Sequence, residues 1–364
     1  MGKKIRVGVL FGGRSCEHEV SLQSARSVLE AIDRDKYEVT MIGISKEGSW
    51  LLAADALEVL QTGVVEGEEL VPVLLDYPGS RELVAREAGG MSRAVDVIFP
   101  LLHGPFGEDG TVQGLLELAG VAYVGAGVLG SAVGMDKEMM KRVFRAEGLP
   151  QVEYLVVRRK RWEREPALVR REVEAHLSYP LFIKPVNMGS SVGVSKAHDG
   201  AEFCRAMDEA ALYDYKIIVE ADARDCREVE CAVLGNEEPR ASMVGEVVPG
   251  NEFYDYNAKY VDDNSTLLIP APLKPESAER IQQLALQAFR TVEAAGLARV
   301  DFFVRREDES IYINEINTIP GFTPISMYPK LWEASGVSYS ELIDRLIQLA
   351  LERRAEQHNT RTVL

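Results

Sequence analysis

Apolar and polar positions follow two rhythms along the chain, and the change between them divides it. IRVGVLF (5–11) and YEVTMIGI (37–44) are apolar runs of strand length, with an amphipathic segment beginning near Ser21 between them. VDVIFPLL (95–102) reads as another buried strand, and GTVQGLLELAG (110–120) as a helix ending at Gly120. Strands alternating with helices predict a parallel sheet covered by helices. One helix is expected over 129–146, closed by Gly148 and Pro150. From 151 the pattern shifts. VEYLVV, LFIKPV, GVSKA and KIIVE are short strands set among helices at 166–177 and 199–212, which predicts a small α+β domain. Beyond about 226 come strands EVECAVLG and SMVGEVV, a loop of 249–264 and a helix of 275–294. A hairpin, ARVDFFVRREDESIYINEINTIPG (298–321), and an amphipathic helix, SYSELIDRLIQLALERRAEQ (338–357), complete the chain.

The hairpin carries polar groups on strands otherwise built from Val, Phe and Ile. With the turn at 307–309, Arg306 faces Ser310, Asp301 lies opposite Glu315, and Arg299 lies opposite Asn317. All four then share a face with Phe303 and Ile313. Carboxylates facing each other across a ladder repel, and at close range one tends to hold its proton. A divalent cation removes both problems, and hard oxygen ligands suit Mg²⁺. The alternative is a solvated strand face on which Arg299 neutralises an acid.

Composition narrows the classes. A length of 364 residues allows two or three domains. Lys and Arg number 41 against 57 Asp and Glu, a net charge of −16, which excludes a general binder of nucleic acid or anionic membrane. A polyanionic ligand would need a local cluster of cations. Cys16, Cys204, Cys226 and Cys231 have no CxxC spacing, so a reducing compartment is expected. MGKKIRVGVLFGG is broken by Gly12 and Gly13 and reads as a strand, not a signal peptide, and no apolar stretch reaches membrane-spanning length. A cytoplasmic location is expected.

Several loops could carry chemistry, and each has a plain structural reading beside it. KPVNMGSSVGVSK (184–196) joins two strands through Gly189, Ser190, Ser191 and Gly193, with Lys184 at the strand end. Such a loop either brings backbone N–H groups to an anion or is an ordinary hairpin. GAGVLG (125–130) has the dinucleotide spacing but lacks the βαβ context, so its glycines are read as a turn into the helix bearing Asp136 and Lys137. GGRSCEHEVS (12–21) leaves the first strand's carboxyl end; Glu17 there either holds a cation or ammonium, or sits near a helix N-terminus for its dipole. His103 in PLLHGPFGEDGTVQG (100–114) is a binding or a structural histidine. NEFYDYNAKYVDDN (251–264), with Lys259 and Tyr260, is a surface loop or one long enough to close over a site.

In this order, GGRSCEHEVS, HGPFGEDGTVQG, MDK, KPVNMGSSVG, YDYNAKY, ARVDFF and INEINTIPGFTPISMYP resemble the D-alanine–D-alanine ligases of the ATP-grasp superfamily, over nearly the whole chain. The resemblance implies an α/β, three-domain ATP-grasp fold. An N-terminal Rossmann-like parallel-sheet domain would span 1–140, a small central α+β domain 141–225, and a C-terminal α+β domain 226–364 with a mobile loop at 249–264. It implies ATP-dependent ligation of two D-alanines through a D-alanyl phosphate, for peptidoglycan synthesis. Two Mg²⁺ would assist, with Mn²⁺ as a substitute, and the assembly would be a homodimer. Lys137 and Lys184 would contact ATP phosphates and Lys259 the γ-phosphate. Glu220 would accept from the adenine amino group, the Ala221 and Ala223 backbone would contact adenine, and Glu228 would bind ribose. ADARDC (221–226) is one residue longer than the family's spacing, which leaves the frame of Ala221, Ala223 and Glu228 to the structure. Asp301, Glu315 and Asn317 would hold the metals. Glu17 would pair with the first D-alanine's ammonium in a triad with Ser190 and Tyr260, with His103 bordering it. Ser326 and the Met327 backbone would hold the second D-alanine's carboxylate, and Arg299 with the Gly321 N–H would receive an oxyanion.

Overall fold

The computed structural model describes residues 3–52, 71–75, 82–85, 92–248, 266–323 and 325–359. Strand β1 (Ile5–Gly12) lies between β2 (Tyr37–Ile44) and β7 (Val97–Pro100), parallel to both, and β8 (Ala122–Tyr123) is parallel to β7. This is the parallel arrangement that the apolar runs predict. Beyond β2 the sheet continues through antiparallel β3 (Trp50–Leu52), β4 (Val71–Leu75), β5 (Glu82–Ala85) and β6 (Ser92–Ala94). The sheet is therefore mixed, with a parallel centre and an antiparallel wing.

Helix α1 (His18–Ala31) starts at His18 rather than near Ser21, and α2 (Thr111–Ala119) stops at Gly120, whose φ of 68° suits glycine. The single helix expected over 129–146 is two, α3 (Val128–Met135) and α4 (Lys137–Ala146). Asp136 separates them with ψ at 98°, and its carboxylate accepts from the Met139 N–H at 3.0 Å. An aspartate cap restarts the helix there, while the apolar period runs through both pieces and hides the break.

GAGVLG is architectural. Gly125 turns the chain at φ +99°, and Gly130 on α3 packs so closely that a Cβ would lie 2.5 Å from the Glu293 carbonyl oxygen. Gly130→Ala is expected to cost ~1–3 kcal/mol through overpacking. A thermal melt should register it as a lower Tm, and an unchanged Tm would mean that α3 does not need that approach.

The second sheet, in the order β11–β10–β12–β9, is antiparallel and comprises β9 (Tyr154–Arg158), β10 (Leu181–Pro185), β11 (Ser195–Ala197) and β12 (Lys216–Ala221). Helices α5 (Arg159–Arg164), α6 (Pro166–His176) and α7 (Gly200–Tyr213) accompany it, with Trp162, Val169 and Phe203 in its core beside Ile183 and Ile217. The third sheet, β15–β14–β13–β16–β17, contains β13 (Cys226–Gly235), β14 (Arg240–Val248), β15 (Thr266–Leu268), β16 (Gly296–Arg305) and β17 (Ile311–Asn317). Helix α8 (Pro275–Thr291) packs Ile281 and Phe289 on it, and α4 contributes Met140 and Phe144 to the same core.

Two helices close the chain, α9 (Met327–Ala334), which the periodicity did not predict, and α10 (Tyr339–His358). Their Tyr328, Trp332, Leu342 and Leu346 share one core with Val7, Val9, Phe11 and Phe99 of the first sheet. The C-terminal segment thus fixes the first and third sheets to each other. No helix among the described residues is long and apolar enough to cross a membrane.

The hairpin differs from the expected ladder beyond Asp301. Arg299 pairs with Asn317 and Asp301 with Glu315 as anticipated, but a register shift follows, so Phe302 meets Ile313 and Phe303 meets Tyr312. Arg305, not Arg306, bonds to Ser310, its N–H reaching the Ser310 carbonyl at 2.9 Å. Ile313 therefore does not share a face with Phe303: it is buried in the core with Val300 and Phe302. The irregularity lets Ile313 and Ile316 both point inward while Glu315 and Asn317 point outward.

Candidate active site

A cavity of ≈ 460 Å³ opens among the three sheets, within the size range of small-molecule sites. Every described residue singled out above for a site lines it. Glu17, His103 and Lys137 come from the first sheet's loops and α4. Lys184, Ser190, Glu220, Ala221 and Ala223 come from the second sheet and its loops, and Glu228 from β13. Arg299, Asp301, Glu315 and Asn317 come from the hairpin, followed by Gly321, Ser326 and Met327. The extra residue in ADARDC does not move Ala221, Ala223 or Glu228 off the cavity wall. Lys259 and Tyr260 lie outside the described residues.

At one end Glu17 precedes α1 and accepts a hydrogen bond from Ser190 Oγ, joining the first strand's loop to the 184–196 loop. The room for its carboxylate is made by glycine: a Cβ at Gly104 or Gly189 would sit 2.7 or 2.9 Å from Glu17 Oε2. The 184–196 loop is pinned by Asp214, which accepts from the Asn187 N–H at 2.8 Å, and by Lys137, whose Nζ donates to the Met188 carbonyl at 2.9 Å. Ser190 and Ser191 both have positive φ, 47° and 59°, a conformation held by its surroundings rather than by residue preference.

His103 is buried. Its Nδ1 lies 3.2 Å from the Ile319 carbonyl, which can only accept, so the Nδ1 carries the proton and Nε2 accepts from Ser24 Oγ at 3.3 Å. Burial lowers its pKa and keeps the ring neutral. The histidine thus ties α1 to the segment after β17, besides lining the cavity.

The hairpin supplies acids, an amide and a guanidinium. Arg299 donates to both oxygens of Asp301, at 2.7 and 2.6 Å, and its Nε lies 3.0 Å from Glu230 Oε2. Asn317 Nδ2 donates to Asp301 at 3.1 Å, and Glu315 lies 3.5 Å from Lys137 Nζ. Asp301, Glu315 and the Asn317 amide together are an all-oxygen donor set facing the cavity, which fits a hard divalent cation. Further round, Ser326 precedes the first turn of α9, Ser326 and Met327 both line the cavity, and the Ser326 Oγ receives the Thr323 N–H at 3.0 Å.

Three neighbours were not anticipated. Glu230 on β13 lies opposite Asp301 and holds Arg299. Glu108 accepts from the Gly104 N–H at 2.7 Å and the Ile319 N–H at 3.3 Å. Burial, then the charge of Glu17, push the Glu108 carboxyl up to about 8. Lys141 on α4 is fully buried, 3.0 Å from Glu220 Oε1, while Lys184 lies 2.6 Å from Glu220 Oε2. Burial opposes ionisation of Glu220, but the two ammonium groups outweigh it and bring its carboxyl down to about 2. The signal for Lys141 was its place one turn after Lys137 on the same helix face.

A family model described as D-ala D-ala ligase N-terminus matches residues 6–126, and one described as D-ala D-ala ligase C-terminus matches 143–348. A D-alanine–D-alanine ligase of Natranaerobius thermophilus is 50% identical over 361 residues, 99% of this chain and 98% of the relative. The solved D-alanine–D-alanine ligase of Coxiella burnetii superposes with a TM-score of 0.86 at 38% identity, covering 98% of this chain and 97% of that one. The VanG D-Ala:D-Ser ligase of Enterococcus faecalis gives 0.85 at 37% identity, covering 96% of this chain and 100% of that one. Matched from end to end in the order of its own three sheets, the chain belongs to the D-alanine–D-alanine ligase family.

Proposed function

We propose that this chain joins two D-alanine molecules into D-alanyl-D-alanine, converting ATP to ADP and phosphate, for peptidoglycan precursor synthesis. The observation that carries the reading is the meeting, in one cavity, of two lysines, a face of paired acids and a helix N-terminus on a chain 50% identical to D-alanine–D-alanine ligases.

A carboxylate resists attack by an amine because oxide would have to leave. Transfer of the γ-phosphoryl group of ATP to the first D-alanine's carboxylate gives an acyl phosphate, whose leaving group is phosphate. Positioning and charge neutralisation carry that step. Lys137 and Lys184 receive the ATP phosphates, joined by Lys259 from the 249–264 loop. Glu220 accepts from the adenine amino group, the Ala221 and Ala223 backbone contacts the adenine, and Glu228 binds ribose. Asp301, Glu315 and Asn317 would hold two Mg²⁺, or Mn²⁺, which would supply positive charge to neutralise the triphosphate. Glu17 takes the first D-alanine's ammonium, with Ser190 and Tyr260 completing the triad and His103 alongside. Ser326 and the Met327 N–H bind the second D-alanine's carboxylate at the start of α9. Its amine attacks the acyl carbon, Arg299 and the Gly321 N–H receive the oxyanion, and phosphate departs.

The three sheets support three domains at 1–140, 141–225 and 226–364, with α4 crossing the first boundary and packing Met140 and Phe144 on the third sheet. Leu115, Leu118, Val128 and Leu129, exposed on α2 and the adjoining α3, support a homodimer that covers them.

Purified protein with ATP, Mg²⁺ and D-alanine should release phosphate and form the dipeptide, while L-alanine gives neither. Phosphate release indifferent to D-alanine would contradict the reading. Lys184→Ala is expected to raise the KM for ATP ~10–100-fold, the worth of a charged hydrogen bond, and to leave the KM for D-alanine nearly unchanged. Initial rates with each substrate varied in turn decide it, and equal rises would place Lys184 away from the phosphates.

A further inference from the structure

Lys141 performs none of the roles above, and its position is costly. Its side chain is 1% exposed on a helix whose neighbouring inward residues are Met140 and Phe144, so an apolar residue would pack there without desolvating a charge. It does not line the cavity, and its Nζ ends over the Tyr154 ring, 5.6 Å from the centroid, 3.0 Å from Glu220.

The charges around it explain its place. Phe182 on β10 pairs with Glu220 on β12, so Lys184, two residues further along β10, is on the same face as Glu220 and reaches it diagonally. Lys184 and Glu220 alone would form a neutral pair 2.6 Å apart, a dipole with little reach toward a polyphosphate. Burial lowers the Lys141 pKa, the Glu220 carboxylate 3.0 Å away opposes that shift, and the ammonium places one positive charge on the far side of the same carboxylate. The group of three then carries a net charge of +1, and of the two members that line the cavity, Glu220 and Lys184, it is Lys184 that displays it.

We propose that Lys141 is a positioning residue for ATP: it neutralises Glu220 from behind, so that Lys184 keeps its charge for the phosphates. When Lys184 turns to a phosphate, Glu220 remains paired with Lys141 rather than stranded as a buried anion. The inference rests on the reading that ATP phosphates meet Lys184.

The test compares K184M, K141M and the double variant K141M/E220Q by steady-state kinetics, with Tm as a check on folding. K184M and K141M should each raise the ATP KM about tenfold or more, with the D-alanine KM within about threefold of native. Adding E220Q to K141M should then lower the ATP KM at least about threefold, because Lys184 is released while the amide still offers an acceptor oxygen to adenine. A packing role for Lys141 cannot produce that reversal. If K184M raises the ATP KM and K141M leaves it within about threefold, the inference is wrong and the ATP reading stands. If K184M leaves it unchanged, the ATP reading of Lys184 itself fails. A double variant no better than K141M also overturns the inference. Should K141M not fold, K141R carries the test: it keeps the charge and should hold an ATP KM within about threefold of native, and a rise of about tenfold overturns the inference.

Discussion

Replacing Glu315 by glutamine is expected to lower kcat about 1,000-fold, equivalent to ~4 kcal/mol of transition-state stabilisation, with the fold intact. Glu315 stands on β17 opposite Asp301, at the irregularity that turns it to the cavity, and the change keeps its volume. What is lost is one negative charge. Divalent ions at this face would need both carboxylates, because the Asn317 amide contributes a dipole but no charge. The same substitution leaves Lys137, 3.5 Å away, without its counter-ion. That favours phosphate binding, so ATP should still bind while turnover collapses. Turnover measured over a Mg²⁺ titration, together with a melting curve, checks this. Near-native kcat at millimolar Mg²⁺ would remove Glu315 from the metal set.

Arg299→Lys is expected to lower kcat ~100–1,000-fold, the usual cost of losing an oxyanion donor, with little effect on the KM for ATP. Lysine keeps the positive charge that Asp301 and Glu230 require but not the planar fork. In the native chain one guanidinium spans both acids, bonding Asp301 through Nε and Nη2 with Nε also 3.0 Å from Glu230. That double anchorage fixes where its remaining donors can point. A lysine ammonium takes one acid or the other and presents no donor at a defined angle to the reacting carbon. Single-turnover rates separate the two stages: the step forming the dipeptide should slow far more than cleavage of ATP. Equal slowing of both would give Arg299 a role in phosphoryl transfer instead.

The parts of this fold that were legible in the sequence are those where a local pattern and a tertiary demand agree. IRVGVLF and YEVTMIGI are mostly apolar because the later parts of β1 and β2 are covered on both faces, and a pattern of that kind survives without context. The pairs Asp301–Glu315 and Arg299–Asn317 followed from counting out of a turn. The count failed on the turn side of Asp301, although the spacing of Ile313 and Ile316 carried the sign: two core residues three apart cannot both face inward on a regular strand. The break at Asp136 was hidden for the opposite reason, since the apolar period continues across it and the cap is a single side chain. The wing β3–β6 is made of short strands whose pairing depends on partners and not on a run of their own.

In the site, residues on named loops were legible because each loop is a recognisable string. Glu108 lies in such a string, HGPFGEDG, yet its meaning comes from Gly104 and Ile319, one of them more than 200 residues away. Lys141 and Glu230 could not be read in that way. A lysine on a helix and a glutamate on a strand are ordinary until Glu220 and Arg299 are brought to 3.0 Å from them by other elements. Charge pairing between elements distant in the sequence is a property of the fold, and beyond the place of Lys141 one turn after Lys137 the sequence near either partner does not record it.

The route through an acyl phosphate is tested most directly by following oxygen. D-Alanine labelled with oxygen-18 in its carboxylate is given to the enzyme with unlabelled ATP, and the released phosphate is examined by mass spectrometry. If the first D-alanine's carboxylate oxygen attacks the γ-phosphorus and the second amine then displaces phosphate by breaking the carbon–oxygen bond, each turnover moves one labelled oxygen into phosphate. Label appearing in phosphate in step with dipeptide is the predicted result. Dipeptide formed with unlabelled phosphate would contradict the account.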